Sequence, residues 1–151
     1  MGWTRNLLVG LAEKLDERGL ARWQPTGAYP LDGLPPIFLR TLGDLPDTAL
    51  ALVAYGDPET EGAGGLADVV QAVQMRTRAP APDAVDDLAD AIWDELHGAE
   101  MLRLGTGPAQ IATTLIYRRS SAPLGQDEQG RYERTDNYYV TAARPTANRP
   151  D

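Results

Sequence analysis

The sequence contains no cysteine and a single histidine. Disulfides, thiolate metal sites and cysteine nucleophiles are therefore excluded. No run of about 18 apolar residues is present, so we expect no membrane span. The first residues also lack the basic, apolar and small-residue pattern of a secretory signal peptide. The 151 residues fit one domain, and together these features favour a cytoplasmic protein.

Basic residues are outnumbered, and the formal net charge is −8. This balance argues against a general nucleic-acid binder, which needs basic surface to release counterions from phosphates. The charge is also uneven, because residues 44–100 hold 13 acids and two arginines while the remainder sums to +3. The acidic part is either a solvated face or a surface that meets a basic partner or repels DNA. Segregated charge would also help identical subunits to dock head to tail.

The stretch from residue 68 to 98 is the centre of the predicted fold. Near-alternation of apolar and polar residues predicts a strand over 69–78. A helix follows, with Asp83 as its N-cap and Gly98 just beyond its end. Its predicted buried face comprises Val85, Leu88, Ala89, Ile92, Trp93 and Leu96, and its opposite face comprises Asp83, Asp86, Asp87, Asp90 and Asp94.

The remaining elements lie on both sides of this stretch. A leucine stripe predicts a first helix over 4–18. Strands are predicted over 37–42, 48–55, 100–104, 110–120 and 131–143, with an acidic flexible loop over 56–65 and a loop over 123–130. We therefore expect an α+β fold: a single, mostly antiparallel sheet of four to six strands with two helices packed on it. Residues 1–143 would form one domain and residues 144–151 a flexible tail.

No group of residues predicts catalysis, a metal or a cofactor. The glycine-rich loop over 56–65 lacks the Lys and Ser/Thr of a phosphate-binding loop and precedes a strand instead of a helix. The carboxylates of the second helix are more typical of a solvated face than of a cation site. The single histidine, His97, falls in the last helical turn, without a nucleophile-elbow motif elsewhere.

Arginines are concentrated in the predicted strands. The candidates for a subunit interface are Arg76, Arg78, Arg118, Arg119, Arg131 and Arg134, with Asp86, Asp90 and Asp94 of the second helix as their acidic counterparts. Arginine forks suit carboxylates, and two interpretations remain open. The arginines either pair within their own chain at strand ends, or form salt bridges with the acidic helix of a neighbouring subunit.

Two stretches resemble a known family. They are VQMRTRAPAPDAVDDLADAIWDELHG (residues 73–98) and IYRRSSAPLGQDEQGRYERTDNYYV (residues 116–140). Together they are similar to the tail terminator proteins of long-tailed bacteriophages, which are also labelled minor capsid, neck or tail-completion proteins. The first helix and the proline-rich passage agree in order and length, so the resemblance covers most of the chain.

The resemblance implies a structural virion protein made in the host cytoplasm and placed at the head–tail junction. Its implied partners are five further copies in a hexameric ring, the tail-tube protein and the head-connector or neck proteins. Genomic DNA would pass through such a ring without specific binding. A head-side neck protein, acting in head closure or as a connector adaptor, is the alternative within virions. A small cytoplasmic enzyme and a host-side interaction module are alternatives from other classes.

Overall fold

The computed structural model describes residues 2–30, 33–60 and 67–150. Two α-helices and seven strands are present, together with one 3-10 turn. They are α1 (Trp3–Glu17), β1 (Ile37–Leu39), β2 (Ala49–Glu59), β3 (Asp68–Ala79), α2 (Pro82–Leu96), β4 (Ala99–Glu100), β5 (Arg103–Leu104), β6 (Ile111–Gln126) and β7 (Tyr132–Ala143).

The strands form one sheet in the order β1-β2-β3-β7-β6-β4, and β5 also pairs with β6. The sheet is mixed, because β1 and β2 run parallel while the other neighbours are antiparallel. The α+β class is confirmed, but the prediction of four to six strands was too low. The strand predicted over 100–104 is divided into β4 and β5, because Met101 adopts a φ of 53° that interrupts the extended chain.

Several predicted boundaries were wrong. The first strand ends at Leu39 because Arg40 adopts a φ of 79°. The next strand continues to Glu59 after a register shift, so it includes the first part of the loop predicted over 56–65. Residues 61–65 of that loop lie outside the described residues. The strand β6 extends to Gln126, through the first half of the predicted 123–130 loop.

The second helix begins two residues earlier than predicted. Pro82 occupies its first turn and Ala81 is the N-cap, without a side-chain hydrogen bond. Proline suits this position because its fixed φ is helical and it lacks an N–H that would need a partner. Asp83 is therefore a first-turn acid and not the cap. Gly98 has a φ of 80°, as predicted for the residue after the helix.

Both helices contribute to one core on the same face of the sheet. The alternation predicted in β3 is confirmed, since Val69, Gln71, Val73, Met75 and Thr77 are all buried. The leucine stripe of α1 packs on β2, β5 and β6, and the apolar face of α2 packs on β3, β6 and β7. Five of their side chains are at most 1% exposed: Leu7, Leu11, Leu15, Ile92 and Leu96. In the described part of the chain, the other face of the sheet carries no helix.

The helix α1 contacts β5 through a glycine. A Cβ built on Gly10 would lie 2.7 Å from the Leu104 Cβ and 3.1 Å from its backbone carbon. Such distances require the helix or the strand to move. We therefore expect Gly10→Val to lower the free energy of unfolding by about 1–3 kcal/mol, measured by urea denaturation. Gly2→Val is the control, because a Cβ there meets nothing within 4 Å. Equal stability of the two variants would contradict this packing.

The predicted C-terminal tail contacts the domain at two residues. The Arg144 backbone N–H donates to the Ala67 carbonyl at 2.9 Å, and the Arg149 guanidinium donates to the Asp68 carbonyl at 3.0 Å. The Arg144 guanidinium also lies 4.8 Å from the Trp3 ring centroid. The boundary at residue 143 and the flexibility of the tail stay predictions. No helix in the described part of the chain has the length and apolarity needed to cross a membrane.

Candidate functional site

Arg134 joins the acidic face of α2 to the sheet. Its Nη1 donates to Asp86 at 3.0 Å and to Asp90 at 3.3 Å, and its Nη2 donates to Asp136 at 3.0 Å. The register of β7 places Arg134 opposite Thr77 of β3, on the face covered by α2. Two of the predicted interface acids therefore have a partner within their own chain.

The centre of this cluster is buried. The Asp136 side chain is 3% exposed and also accepts from Arg118 Nη1 at 3.2 Å. Burial raises the pKa of the Asp136 carboxyl, and the charges and hydrogen bonds of Arg134 and Arg118 oppose that rise. The neighbouring Tyr138 is fully buried, and loss of solvation strongly raises its phenolic pKa. The arrangement stabilises a folded subunit and does not present these groups to a ligand.

Arg118 has further contacts at the end of α2. Its guanidinium lies 5.6 Å from the Trp93 ring centroid. Its backbone N–H donates to His97 Nδ1 at 2.9 Å, and the His97 ring stacks on Trp93 with centroids 4.6 Å apart. The single histidine thus links the helix end to the edge of β6, and its Nδ1 is used as an acceptor.

Arg78 and Arg131 hold the loop between β1 and β2. Arg78 is 4% exposed and donates to the backbone carbonyls of Pro46 and Asp47 at 2.7 and 3.1 Å. Arg131 is 6% exposed, binds the Asp127 carboxylate at 2.8 Å and also donates to the Asp44 carbonyl. Burial is the main cause that lowers the pKa of Arg78, and the charge of Arg131 lowers it further. Both arginines are engaged in structural contacts within the subunit.

The remaining interface candidates are exposed. Arg76 is 46% exposed and binds Glu133 at 3.0 Å on the face without helices. The Arg119 guanidinium lies 5.1 Å from the Tyr139 ring centroid. Within the described part of the chain, neither Arg119 nor Asp94 forms an ion pair. Of the nine predicted residues, these three are the ones best placed to contact a second protein.

A row of aromatic side chains crosses the face without helices. Tyr55 of β2 lies opposite Ala72 of β3. Tyr139 of β7 lies opposite Ala72 on one side and opposite Tyr117 of β6 on the other. The rings of Tyr117 and Tyr139 are 5.9 Å apart. On this face Arg76 pairs with Glu133, and the Arg119 guanidinium lies against the Tyr139 ring.

The sequence did not reveal an apolar cleft at the β1 edge of the sheet. This cleft, of about 730 Å³, is lined by Tyr29, Leu34, Phe38, Leu45 and Pro46 among others. Leu45 is 76% exposed beside it. An apolar residue between Asp44 and Pro46 in a turn was the signal in the sequence.

The second feature that sequence reasoning missed is the free outer edge of β6. Residues 97–102 cover this edge only as far as Arg118. Residues 119–126 beyond it are all exposed, and Leu124 retains 45% of its accessible surface.

No group of three or more His, Asp or Glu residues in the described ranges is arranged to hold a metal ion. Where Asp86, Asp90 and Asp136 converge, the Arg134 guanidinium occupies the position that a cation would take.

The sequence also matches a known protein family. The chain matches the profile of the bacteriophage tail terminator protein family over residues 14–144, which is most of its length. The chain belongs to this family. It is accordingly a structural component of a phage virion, as the resemblance in the two quoted stretches implied.

Structure comparison agrees in fold. A chain from the virion of a native gene transfer agent particle is similar with a TM-score of 0.51 and 15% sequence identity. The similarity covers 87% of this tail terminator family member and 85% of that chain. No curated protein matches by sequence.

Proposed function

We propose that this protein forms a hexameric ring that caps the tail tube and joins the tail to the head connector. The observation that carries the proposal is the match to the tail terminator family over residues 14–144. The ring would lie at the head–tail junction, with the tube on one side and neck proteins on the other. The protein would act through its surfaces and have no catalytic role.

The distribution of charge supports a ring in which two different patches meet at every joint. The strand β6 carries Arg118 and Arg119 and no acid, whereas residues 40–60 at the other edge of the sheet hold four acids and one arginine. A head-to-tail joint brings opposite charges together, while a two-fold joint would set each edge against itself. Exposed ion pairs contribute only about 0–1 kcal/mol each, so the joint must also bury apolar surface.

Tube assembly in vitro tests this function. Purified tail-tube protein is polymerised with and without this chain, and tube lengths and ends are imaged by electron microscopy. We expect shorter tubes whose ends carry a six-fold ring, and native mass spectrometry should give six copies per ring. A ring that binds the isolated head connector and leaves tube growth unchanged would instead indicate a head-side neck protein. A stable two-fold dimer that binds neither would contradict both functions.

The proposed passage of DNA requires weak contact with phosphates. We expect a dissociation constant for duplex DNA at physiological salt no tighter than that of non-specific binders, about 10⁻⁴–10⁻⁶ M, because the net charge is −8. Fluorescence anisotropy with a labelled duplex measures this affinity. Sub-micromolar binding would contradict the expectation.

A further inference from the structure

We propose that the joint between subunits is formed by Leu124, on the free edge of β6 in one copy, and the apolar cleft beside Leu45 in the next copy. This inference rests on the proposed ring and names the two surfaces that close it. Arg78 holds the cleft side in place by donating to the Pro46 and Asp47 carbonyls, while the Leu45 and Leu124 side chains remain exposed. Shape, position in the sheet and charge all favour this joint.

The cleft is suited to an apolar side chain. Its walls are formed by rings and prolines, including Tyr29, Phe38 and Pro46, and Leu45 stands exposed beside it. Its volume of about 730 Å³ exceeds what one leucine needs, so it has room for neighbouring backbone as well. Large exposed apolar groups gathered at one place are typical of interaction sites.

The edge of β6 offers a matching projection. Among the residues that the structure describes, those from 119 to 126 pair with β7 on one side only, and every one of them is exposed. Leu124 lies between Pro123 and Gly125, where the register shifts. The absent N–H of proline and a local bulge both hinder the addition of another strand. The edge is therefore better suited to insert a side chain than to extend the sheet.

Strand addition is hindered at the opposite edge for a separate reason. The outward N–H of Ile37 in β1 donates to the Arg22 carbonyl at 2.9 Å, and the outward Ile37 carbonyl accepts from the Tyr29 hydroxyl. The outward backbone groups of Ile37 are thus occupied. What remains available on this side is the cleft, which again favours side-chain insertion.

The two features lie at the same level on opposite edges of one sheet. Pairing across the strands runs from Gly125 of β6 to Glu133, then to Arg78, and then to Ala49 at the start of β2. The cleft residues Pro46 and Thr48 directly precede Ala49. A copy rotated about a ring axis can therefore bring its β6 edge to the cleft of its neighbour without displacement along the strands.

Charge selects a second copy as the occupant. The β6 edge presents the exposed Arg119 and no acid, whereas the cleft is lined by Asp47 and the exposed Asp44 precedes its Leu45. The Asp47 side chain is 59% exposed but lies 3.5 Å from Arg131 of its own chain, so Asp44 is the main negative charge offered to a neighbouring copy. Unlike edges attract and like edges repel. The arrangement thus favours the heterologous contact that a ring requires over a two-fold dimer.

Engineered cysteines test this joint sharply, because the chain has none of its own. Two proteins are prepared separately, one with Leu124→Cys and one with Leu45→Cys, and are mixed under mild oxidation. We expect a disulfide-linked heterodimer from the mixture and no crosslink from either protein alone. Met101→Cys mixed with Leu45→Cys is the matched control, since Met101 is also apolar and 75% exposed but lies near β4. Crosslinking of Leu124→Cys with itself would indicate a two-fold contact and overturn the proposal.

A substitution gives an independent readout. Leu124→Asp is expected to raise the concentration needed for ring assembly by roughly tenfold or more, since a buried leucine would be replaced by a charge. The Tm of the subunit should not change, because Leu124 is exposed there. Met101→Asp should assemble as the unaltered chain does. Sedimentation velocity and native mass spectrometry measure the assembly.

The outcomes separate this inference from the proposed function. If the unaltered chain forms rings while Leu124→Asp assembles normally and no heterodimer forms, the joint is wrong and the ring stands. If the Leu45→Cys thiol also stayed reactive in those rings, the cleft would be unoccupied there and open to a different partner. If the unaltered chain forms no ring, alone or on tubes, both proposals fail.

Discussion

Ile92→Asp is expected to unfold the protein, whereas Asp90→Asn is expected to leave it folded. Ile92 is 1% exposed in the core between α2 and the sheet. An unpaired charge in a packed interior costs several kcal/mol, which is a large part of a typical stability of about 5–15 kcal/mol. Circular dichroism should show loss of the cooperative thermal transition in Ile92→Asp.

Asp90→Asn is the matched control on the same helix. The Asp90 side chain is 65% exposed and shares Arg134 with Asp86 and Asp136. Loss of one exposed partner should lower the free energy of unfolding by about 0–1 kcal/mol. If Ile92→Asp melted at the temperature of the unaltered chain, the assignment of the two helix faces would be wrong.

Arg134→Met should have the second largest effect, with a loss of about 3–5 kcal/mol in the free energy of unfolding. The substitution keeps an unbranched apolar stem but leaves the buried Asp136 carboxylate with Arg118 as its remaining partner. Asp86 and Asp90 would also lose the cation that ties them to the sheet. Urea denaturation followed by tryptophan fluorescence measures the change.

Arg76→Met provides the comparison for Arg134→Met. Arg76 is in the adjacent strand and binds a single carboxylate, that of Glu133, and its side chain is 46% exposed. We expect this variant to lose only about 0–1 kcal/mol. Adding Asp136→Asn to Arg134→Met should recover part of the stability, because it removes the buried Asp136 charge that has lost Arg134. Equal losses for Arg76→Met and Arg134→Met would show that burial of the cluster does not govern its energy.

The contact between Arg118 and Asp136 also affects how an assembly experiment should be designed. Reversing the charges of both Arg118 and Arg119 would disturb the subunit, because Arg118 binds the buried Asp136. Arg119→Glu alone leaves that contact intact and alters an exposed group. Effects of this single reversal on ring formation can therefore be attributed to the joint.

The membership in a tail terminator family gives these surfaces their context. Structural proteins of a virion act by contacting neighbours, so exposed edges and clefts matter more than enclosed pockets. The acids of α2 show that an exposed charged residue can already be paired within its own chain. Asp86 and Asp90 are exposed, yet both already bind Arg134 of their own chain.

Local sequence patterns were enough to predict which residues of a single helix or strand are buried. Periodicity over a few turns specified the buried face of α2, and alternation over ten residues specified the buried face of β3, because each pattern directly reflects one-sided burial. The acidic character of residues 44–100 was likewise readable from composition. The resemblance to the tail terminator family also rested on two such local stretches, and the family match over residues 14–144 confirms it.

The pairing of charged residues and the exposure of strand edges depend instead on the tertiary structure. Arg134 and Asp86 are 48 positions apart, and Arg131 reaches the Asp44 carbonyl across 87 positions. No local pattern encodes such pairs, since they depend on how β7 is placed between β3 and β6. The same placement leaves Leu124 exposed and sets it level with the cleft on the far side of the sheet, because strand order and register are properties of the whole fold.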